Sequence, residues 1–319
     1  MFDEMKKNYK FLAEYFTKLL ENGKFDIPNS IILYGSDILA QYYIAMLIAK
    51  TKNCTGDKSS GCNCRNCLWI KRNEHPEIMT ISKIDSKPDN DDSKTVISVK
   101  QTDNIKDKLI VSSEYHRFFI FCDAEDKIYT ENEEKRIKDF EKWGISLPKT
   151  AKNGWYPKGI TPKCFSDVVA NSLLKSIEEP PSNVTFIFLT ENIENIIPTI
   201  VSRSQAFFVS GFEKSESNIS DIAELMRNYP DFNENDELKI SDKLMEISEK
   251  NGQNLSDTLD GIQNYLVRLL ENNFQNKIFS KKIMSDIDKL HDISNMLRSN
   301  IKEQTAADET GYLLTQKVK

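Results

Sequence analysis

Four cysteines fall within fourteen residues: Cys54, Cys62, Cys64 and Cys67, with seven, one and two residues between them. Four thiolates so placed can close a tetrahedral shell round Zn²⁺, and the Gly, Ser and Asn between them let the backbone turn sharply. A shell of four sulfurs leaves no position for a substrate, so the ion would be structural. Two other readings stay open: an iron–sulfur cluster, which also takes four thiolates, and four buried thiols without metal. The start, Met1-Phe-Asp-Glu-Met-Lys-Lys7, lacks the basic-then-apolar pattern of a secretion signal, which points to a cytoplasmic chain. In a reducing compartment such a cluster suggests metal rather than disulfides.

A second stretch has the outline of a phosphate loop without its chemistry. Gly35-Ser-Asp-Ile-Leu-Ala-Gln-Tyr-Tyr43 follows an apolar run, Ile31–Tyr34, and precedes a helix-like run, Ile44–Lys50. Of the pattern G-x-x-x-x-G-K-[ST] only Gly35 is present; Ala40, Gln41 and Tyr42 stand at the second glycine, the lysine and the hydroxyl. A phosphate would find no cation there, and Mg²⁺ no hydroxyl ligand. A further apolar run, Phe118–Cys122, ends in Asp123, the way a Mg²⁺-positioning carboxylate is presented, and Ala124 follows. Arg203 closes the segment Pro198-Thr-Ile-Val-Ser-Arg203 just before a strand, well placed to reach an anion on a neighbouring molecule. Each signal alone also fits a plainer reading: a strand-to-helix turn, an acidic strand end, a surface arginine.

The elements that must carry these residues alternate along the chain. Residues 8–21 read as a helix from apolar residues at three-and-four spacing, ended by Asn22-Gly23. Strand-like runs recur at Ile31–Tyr34, Ile78–Ser82, Phe118–Cys122, Val184–Leu189 and Ala206–Val209. Two of them are almost wholly apolar, as in a parallel sheet covered on both faces. Residues 83–96 read as a loop. Residues 129–163 read as an insertion whose first half, Glu131–Trp143, is helical and whose second half, rich in Pro and Gly, is irregular. Beyond Gly211 only helical periods remain, and the tail from Ala306 is expected to be mobile.

Composition narrows the function. Hydrophobic residues make up 39% and charged residues 29%, and no apolar run is long enough for a membrane helix. A net charge of -6 argues against a chain that binds nucleic acid over its whole surface.

Taken together, the segments resemble the bacterial DNA polymerase III clamp-loader subunits, the delta-prime type above all, over about residues 8–262. The resemblance rests on the cysteine module after the first helix and on Arg72-Asn-Glu-His-Pro-Glu-Ile78. It rests too on Asn171-Ser-Leu-Leu-Lys-Ser-Ile-Glu-Glu-Pro-Pro181 and Pro198-Thr-Ile-Val-Ser-Arg-Ser-Gln205. It implies an AAA+ architecture of class α/β: a parallel five-stranded sheet with helices on both faces and a small four-cysteine zinc module. An all-α lid and a C-terminal helical collar would follow. The implied divisions are residues 1–211 for the AAA+-like domain (zinc module 54–67, insertion 129–163), 212–262 for the lid and 263–319 for a collar shorter than the family's. It also implies that Arg203, with Ser202, is an arginine finger acting on the ATP of an adjacent subunit. The partners would be clamp-loader ATPase subunits and a delta-type subunit in a hetero-oligomer, with the sliding clamp and primed DNA engaged through the assembly.

Departures from the family's pattern select the subunit type. Gln41 and Ala124 stand where ATP-hydrolysing members carry the loop lysine and the strand-end glutamate. Ser256, in Gly252-Gln-Asn-Leu-Ser-Asp-Thr-Leu259, stands where the lid offers an arginine. Losing one such contact costs several kcal/mol of transition-state stabilisation. The expectation is a subunit that holds no ATP at Gly35, Gln41, Tyr42, Asp123 and Ala124, yet supplies Arg203 to a neighbour. Two other functions compete: a clamp-loader ATPase with an unusual phosphate loop, and a nucleic-acid-binding protein using the cysteines as a zinc ribbon. Against the latter, residues 54–67 carry only Lys58 and Arg65 as cations and no aromatic for base stacking.

Overall fold

A computed structural model describes residues 2–7, 9–21, 27–84, 97–149, 153–209, 216–250, 255–273, 276–298 and 301–317. The chain forms two compact units, Met1–Val209 and Ser210–Lys319.

In the first unit the order is α1 (Lys10–Glu21), β1 (Ser30–Tyr34), α2 (Ile38–Asn53), α3 (Arg65–Lys71), β2 (Ile78–Ile81), α4 (Val99–Ile110) and β3 (Arg117–Phe121). Then come β4 (Asp123–Lys127), α5 (Glu131–Glu141), β5 (Gly154–Lys158), α6 (Asp167–Glu178), β6 (Val184–Thr190), α7 (Pro198–Val201) and β7 (Gln205–Phe208). The five apolar runs read as strands all enter one sheet of order β2-β3-β6-β1-β7, and every pairing is parallel. This is the five-stranded parallel sheet expected from the sequence.

Alternation along the strands divides the apolar side chains between two faces. Phe119, Phe121, Phe186, Phe188 and Ile32 share one core with Ile105 of α4 and with Val169, Leu173 and Ile177 of α6. Phe121 and Phe188 stack across the β3–β6 register at 4.9 Å, and Phe119 and Phe186 at 5.4 Å. Helix α2 packs on β1 and β6 and is buried along almost its whole length. Capping sets the surrounding helices: Ser98 with Gln101 begins α4, Thr130 with Glu133 begins α5, and Ser166 begins α6.

Three local expectations are corrected. Helix α2 begins at Ile38, six residues before the run read as helical. The second half of the insertion is not wholly irregular: β5 pairs antiparallel with β4 to form a separate two-stranded ribbon. Gly and Pro hide β5 from a propensity reading, yet Pro157 fits the edge of a two-stranded ribbon. The tail beyond Ala306 is largely ordered as α12 (Glu303–Thr315). Residues 22–23 and most of the 83–96 loop lie outside the described residues.

Among the described residues the second unit is helical, without strands. It contains α8 (Glu216–Leu225), α9 (Glu237–Lys250), α10 (Leu255–Asn273), α11 (Lys277–Arg298) and α12. Helix α10 continues through residue 262, where the lid was expected to end. Helix α12 packs on α9, and small residues allow the close approach: Ala306 and Ala307 are buried, and a Cβ on Gly311 would lie 2.4 Å from the Glu237 carbonyl oxygen. Lys282 bridges Asp286 and the Gln316 carbonyl at 2.8 Å each, which ties the chain end to α11.

Candidate functional site

The cradle at the ends of β1 and β6 is filled by the protein itself. Gly35 has φ +132°, and a Cβ there would lie 2.3 Å from the Val209 carbonyl oxygen. The retained glycine therefore serves the packing of β1 against the chain leaving β7. Only Ser36 and Asp37 separate it from α2, so the residues that would wrap a phosphate are already helical. Asp37 caps that helix, accepting from the Ala40 N–H at 3.1 Å. The amide donors and positive end of a helix N-terminus are where a phosphate would bind. Here a carboxylate of the chain occupies that end, and Arg136 of α5 pairs with it.

Gln41, at the position of the loop lysine, is fully buried. Its Nε2 donates to the carbonyls of Gly35 (2.8 Å) and Thr190 (3.2 Å), and its Oε1 accepts from the Thr190 N–H (3.1 Å). It fastens the turn to the end of β6. Tyr42 is also buried; its ring lies 4.9 Å from Trp155 of β5 and its hydroxyl 3.4 Å from Thr80 Oγ1. Tyr43 stacks on Phe140 of α5 at 4.8 Å and meets Trp143 edge-on. Burial, then the nearby Glu141 charge, push its phenol above the ordinary range, so it stays protonated. Asp123 pairs with Lys83 at 2.9 Å and accepts from the Ala124 N–H, while the Ala124 methyl is fully buried. The structure thus joins Gly35 and Gln41 through Thr190 and gives Asp123 a cation within the chain. The insertion supplies Arg136, Phe140, Trp143 and Trp155 as a cover over the first half of α2.

The cysteine cluster follows the other end of α2. All four sulfurs lie within 4.8 Å of one another, with Cys54 Sγ 3.6 Å from Cys62 Sγ and 3.9 Å from Cys64 Sγ. A tetrahedron with metal–sulfur bonds of about 2.3 Å has sulfur–sulfur edges of about 3.8 Å. The residues therefore fit a single tetrahedral ion, and the one-residue gap between Cys62 and Cys64 does not prevent it. Gly56 makes room, since a Cβ there would lie 2.5 Å from Cys62 Sγ. The thiols divide: burial and then the neighbouring cysteines push Cys67 up, whereas in Cys64, although burial opposes it, hydrogen bonds from the Cys67 backbone and from Thr55 bring the thiol down to about 6. Lys50 is buried beside the cluster and donates to the carbonyls of Ser60 (2.9 Å) and Trp143 (2.7 Å). One ammonium joins the cysteine loop to the insertion.

Arg203 lies on the surface, at the N-terminal end of β7. Its side chain is 39% exposed and pairs with Glu178 at 2.7 Å. Nη1 donates to the Thr199 carbonyl (2.9 Å) and to Ser202 Oγ (3.1 Å). Ser204, beside it, shares a 2.6 Å hydrogen bond with Ser30 at the start of β1 and donates to the Ile200 carbonyl at 2.7 Å. The segment is thus anchored, and its guanidinium lies partly exposed at the surface, held by Thr199, Ser202 and Glu178. Ser256, the expected lid position, lies 3.3 Å from Ser294 Oγ within the second unit, and Gly252 is outside the described residues.

Sequence reasoning missed Arg136, Lys50 and Glu178. Arg136 acts on Asp37 and Lys50 on Trp143 across more than ninety residues, and Glu178, although inside the quoted Asn171–Pro181 stretch, is given its partner Arg203 only by the fold.

Comparison with known proteins places the chain. Residues 9–132 and 165–213, more than half of it, match the family described as DNA polymerase III, delta subunit. The chain belongs to this family. The match breaks over residues 133–164, most of the stretch read as an insertion at 129–163. Among curated proteins, DNA polymerase III subunit gamma from Buchnera aphidicola subsp. Schizaphis graminum is 25% identical over 298 residues, covering 88% of this chain and 70% of that one. DNA polymerase III subunit gamma/tau from Mycoplasma genitalium is 26% identical over 260 residues. That match covers 79% of this chain but only 34% of the relative, so the chain spans about a third of that protein's length. A solved DNA polymerase III gamma subunit-related protein from Thermotoga maritima matches over 95% of this chain and 98% of its own, with 14% identity and a TM-score of 0.36. Among the described residues no helix is long and apolar enough to cross a membrane.

Proposed function

We propose that this chain is a delta-prime-like, non-hydrolysing subunit of the DNA polymerase III clamp loader. It supports loading of the sliding clamp onto primed DNA and lends Arg203 to the nucleotide of an adjacent ATPase subunit. The observation that carries the reading is a pairing: a cradle stopped by Asp37, Arg136 and Gln41, and a guanidinium presented at the surface on an anchored segment. A finger supplied in trans needs no nucleotide in its own subunit, so a stopped cradle is compatible with Arg203 serving another subunit's ATP. There it would stabilise charge developing on the transferred phosphoryl group. The four cysteines, in this reading, hold a structural Zn²⁺ that folds the loop between α2 and α3. The ATPase subunits and a delta-type subunit are the partners, in a hetero-oligomer.

The test uses the assembled loader. Arg203→Ala should leave the subunit folded and in the assembly while turnover at the one interface falls by roughly 10³-fold or more. In the steady state this appears as loss of that site's share of the ATPase rate. An unchanged rate removes Arg203 from the mechanism. Tight binding of ATP to the isolated chain at millimolar Mg²⁺ would instead favour the unusual ATPase.

A further inference from the structure

We propose that Glu178 is a positioning residue for Arg203. Its carboxylate is a rest that holds the guanidinium in the presented pose, yields it to the phosphate of a neighbouring nucleotide, and takes it back when that charge leaves. The inference deepens the trans-acting reading of Arg203 and rests on it.

The geometry divides the guanidinium between two duties. Nη1 is held by its own segment, through the Thr199 carbonyl and Ser202 Oγ. Nη2 reaches across to Glu178 Oε1 at 2.7 Å. Glu178 sits on a firm mount: it is the last residue of α6, whose Val169, Ala170, Leu173 and Ile177 are buried, and Pro180-Pro181 follow closely. Arg203 is equally well mounted, since Ser204 is bonded to Ser30 and to Ile200. The two residues share the rim of an open cleft of about 450 Å³ with Pro28, Ser30, Pro180 and Gln205, so a third group can approach them.

Exposure sets the strength of the pair. Glu178 is 43% and Arg203 39% exposed, so solvent screens the attraction and the pair is easily exchanged. A triphosphate carries more charge than a carboxylate and offers several acceptors to the guanidinium fork, so it wins the exchange. Once Arg203 has moved, Glu178 is a bare negative charge beside phosphate. That repulsion opposes keeping the nucleotide and favours return of Arg203 to its rest.

The experiment is a double-mutant cycle in the reconstituted loader, with ATP turnover measured against ATP concentration. Glu178→Gln keeps the shape and removes the charge. The expected result is a KM for ATP lowered by about 2- to 5-fold, the range that an exposed ion pair spans, with kcat within about twofold. In the Arg203→Ala background, Glu178→Gln should shift KM by less than it does in the wild type, because the exchange no longer exists. Glu178→Ala should move KM in the same direction as Glu178→Gln, and the melting temperature of the free subunit should be unchanged for both. An unchanged or raised KM in Glu178→Gln, or the same shift with and without Arg203, overturns the role of Glu178 while leaving Arg203 in place. If Arg203→Ala itself changes neither KM nor kcat, the parent reading fails and this one goes with it.

Discussion

Restoring the lysine of the phosphate loop should not restore nucleotide binding. Gln41 is fully buried and makes three hydrogen bonds, donating to Gly35 and Thr190 and accepting from the Thr190 N–H. In Gln41→Lys the ammonium can still donate to both carbonyls, but it cannot accept, so the Thr190 N–H is orphaned at a cost of about 1–3 kcal/mol. Burying the new charge adds to that cost, with two carbonyl dipoles as partial compensation. Gln41→Met separates the two effects. It carries no charge, yet orphans both the Thr190 N–H and the Gly35 carbonyl, for about 2–4 kcal/mol. The Thr190 carbonyl keeps the Gly35 N–H as a partner at 3.1 Å. Both variants should therefore melt below the wild type. Neither should bind ATP, because α2 is helical from Ile38 and Asp37 with Arg136 already occupies its positive end. The assay is a thermal melt with and without Mg²⁺-ATP, together with a titration by a fluorescent ATP analogue. A Gln41→Lys protein as stable as the wild type, and further stabilised by Mg²⁺-ATP, would refute the reasoning: the cradle would be vacant and lacking only its cation.

Three other outcomes are expected. Arg136→Ala removes the guanidinium that faces the buried Asp37 carboxylate and should destabilise the first unit by about 3 kcal/mol, seen as a lower urea midpoint and faster amide exchange at the start of α2. Chelation of the metal, or Cys62→Ser with Cys67→Ser, should unfold the loop between Cys54 and α3 with release of about one Zn²⁺ equivalent; metal analysis of the purified chain showing none would remove the assignment. His116 is pulled down to about 3 by burial and then by the Lys52 charge. Its unfolded value is near 6.5, so the unfolded chain binds more protons between these two values, and stability falls as pH drops through that window. His116→Gln should flatten the loss between pH 7 and pH 5 by on the order of 1–2 kcal/mol, and an equally steep variant would assign the slope to other groups.

How much of this was legible in the sequence depends on the range of the interactions. The five strands were, because burial on both faces writes long apolar runs such as Phe118–Cys122 and Val184–Leu189. The helix faces of α6, α9 and α10 were as well, through their three-and-four spacing. The start of α2 was not: Gly-Ser-Asp reads as loop until Asp37 is seen to cap a helix that begins at Ile38, ahead of the run Ile44–Lys50 read as helical. Strand β5 was hidden because Gly154 and Pro157 lower strand propensity, while its pairing to Asp123–Lys127 is decided by the tertiary fold. Helix α12 was hidden for the opposite reason, since Ala306, Ala307 and Gly311 give little hydrophobic signal but let helices approach closely. At the site, the loss of phosphate-binding groups could be read one position at a time. What replaced them could not, because Arg136 reaches Asp37 across ninety-nine residues of chain.

The position of the two sites in the sheet explains how one could be closed while the other was kept. The cradle lies at the C-terminal ends of β1, β6 and β7, where Gly35, Thr190 and Val209 meet. Arg203 lies at the opposite ends of β1 and β7, where Ser204 bonds Ser30. The same two strands, four to five residues long and hydrogen-bonded in register, connect one to the other. A nucleotide that came and went at the cradle would repeatedly loosen and reset the turn that closes β1. Here Gln41 fixes that turn to β6, and the insertion presses Tyr42 and Tyr43 of α2 under Trp155, Phe140 and Trp143. The strand ends beneath Arg203 are held by bonds that no ligand needs to make. For a side chain that must meet a phosphate on another molecule, a platform of constant shape lowers the ordering cost of each encounter. Under the function proposed for Arg203, a closed cradle in the same sheet would keep the arginine ready for a neighbouring subunit.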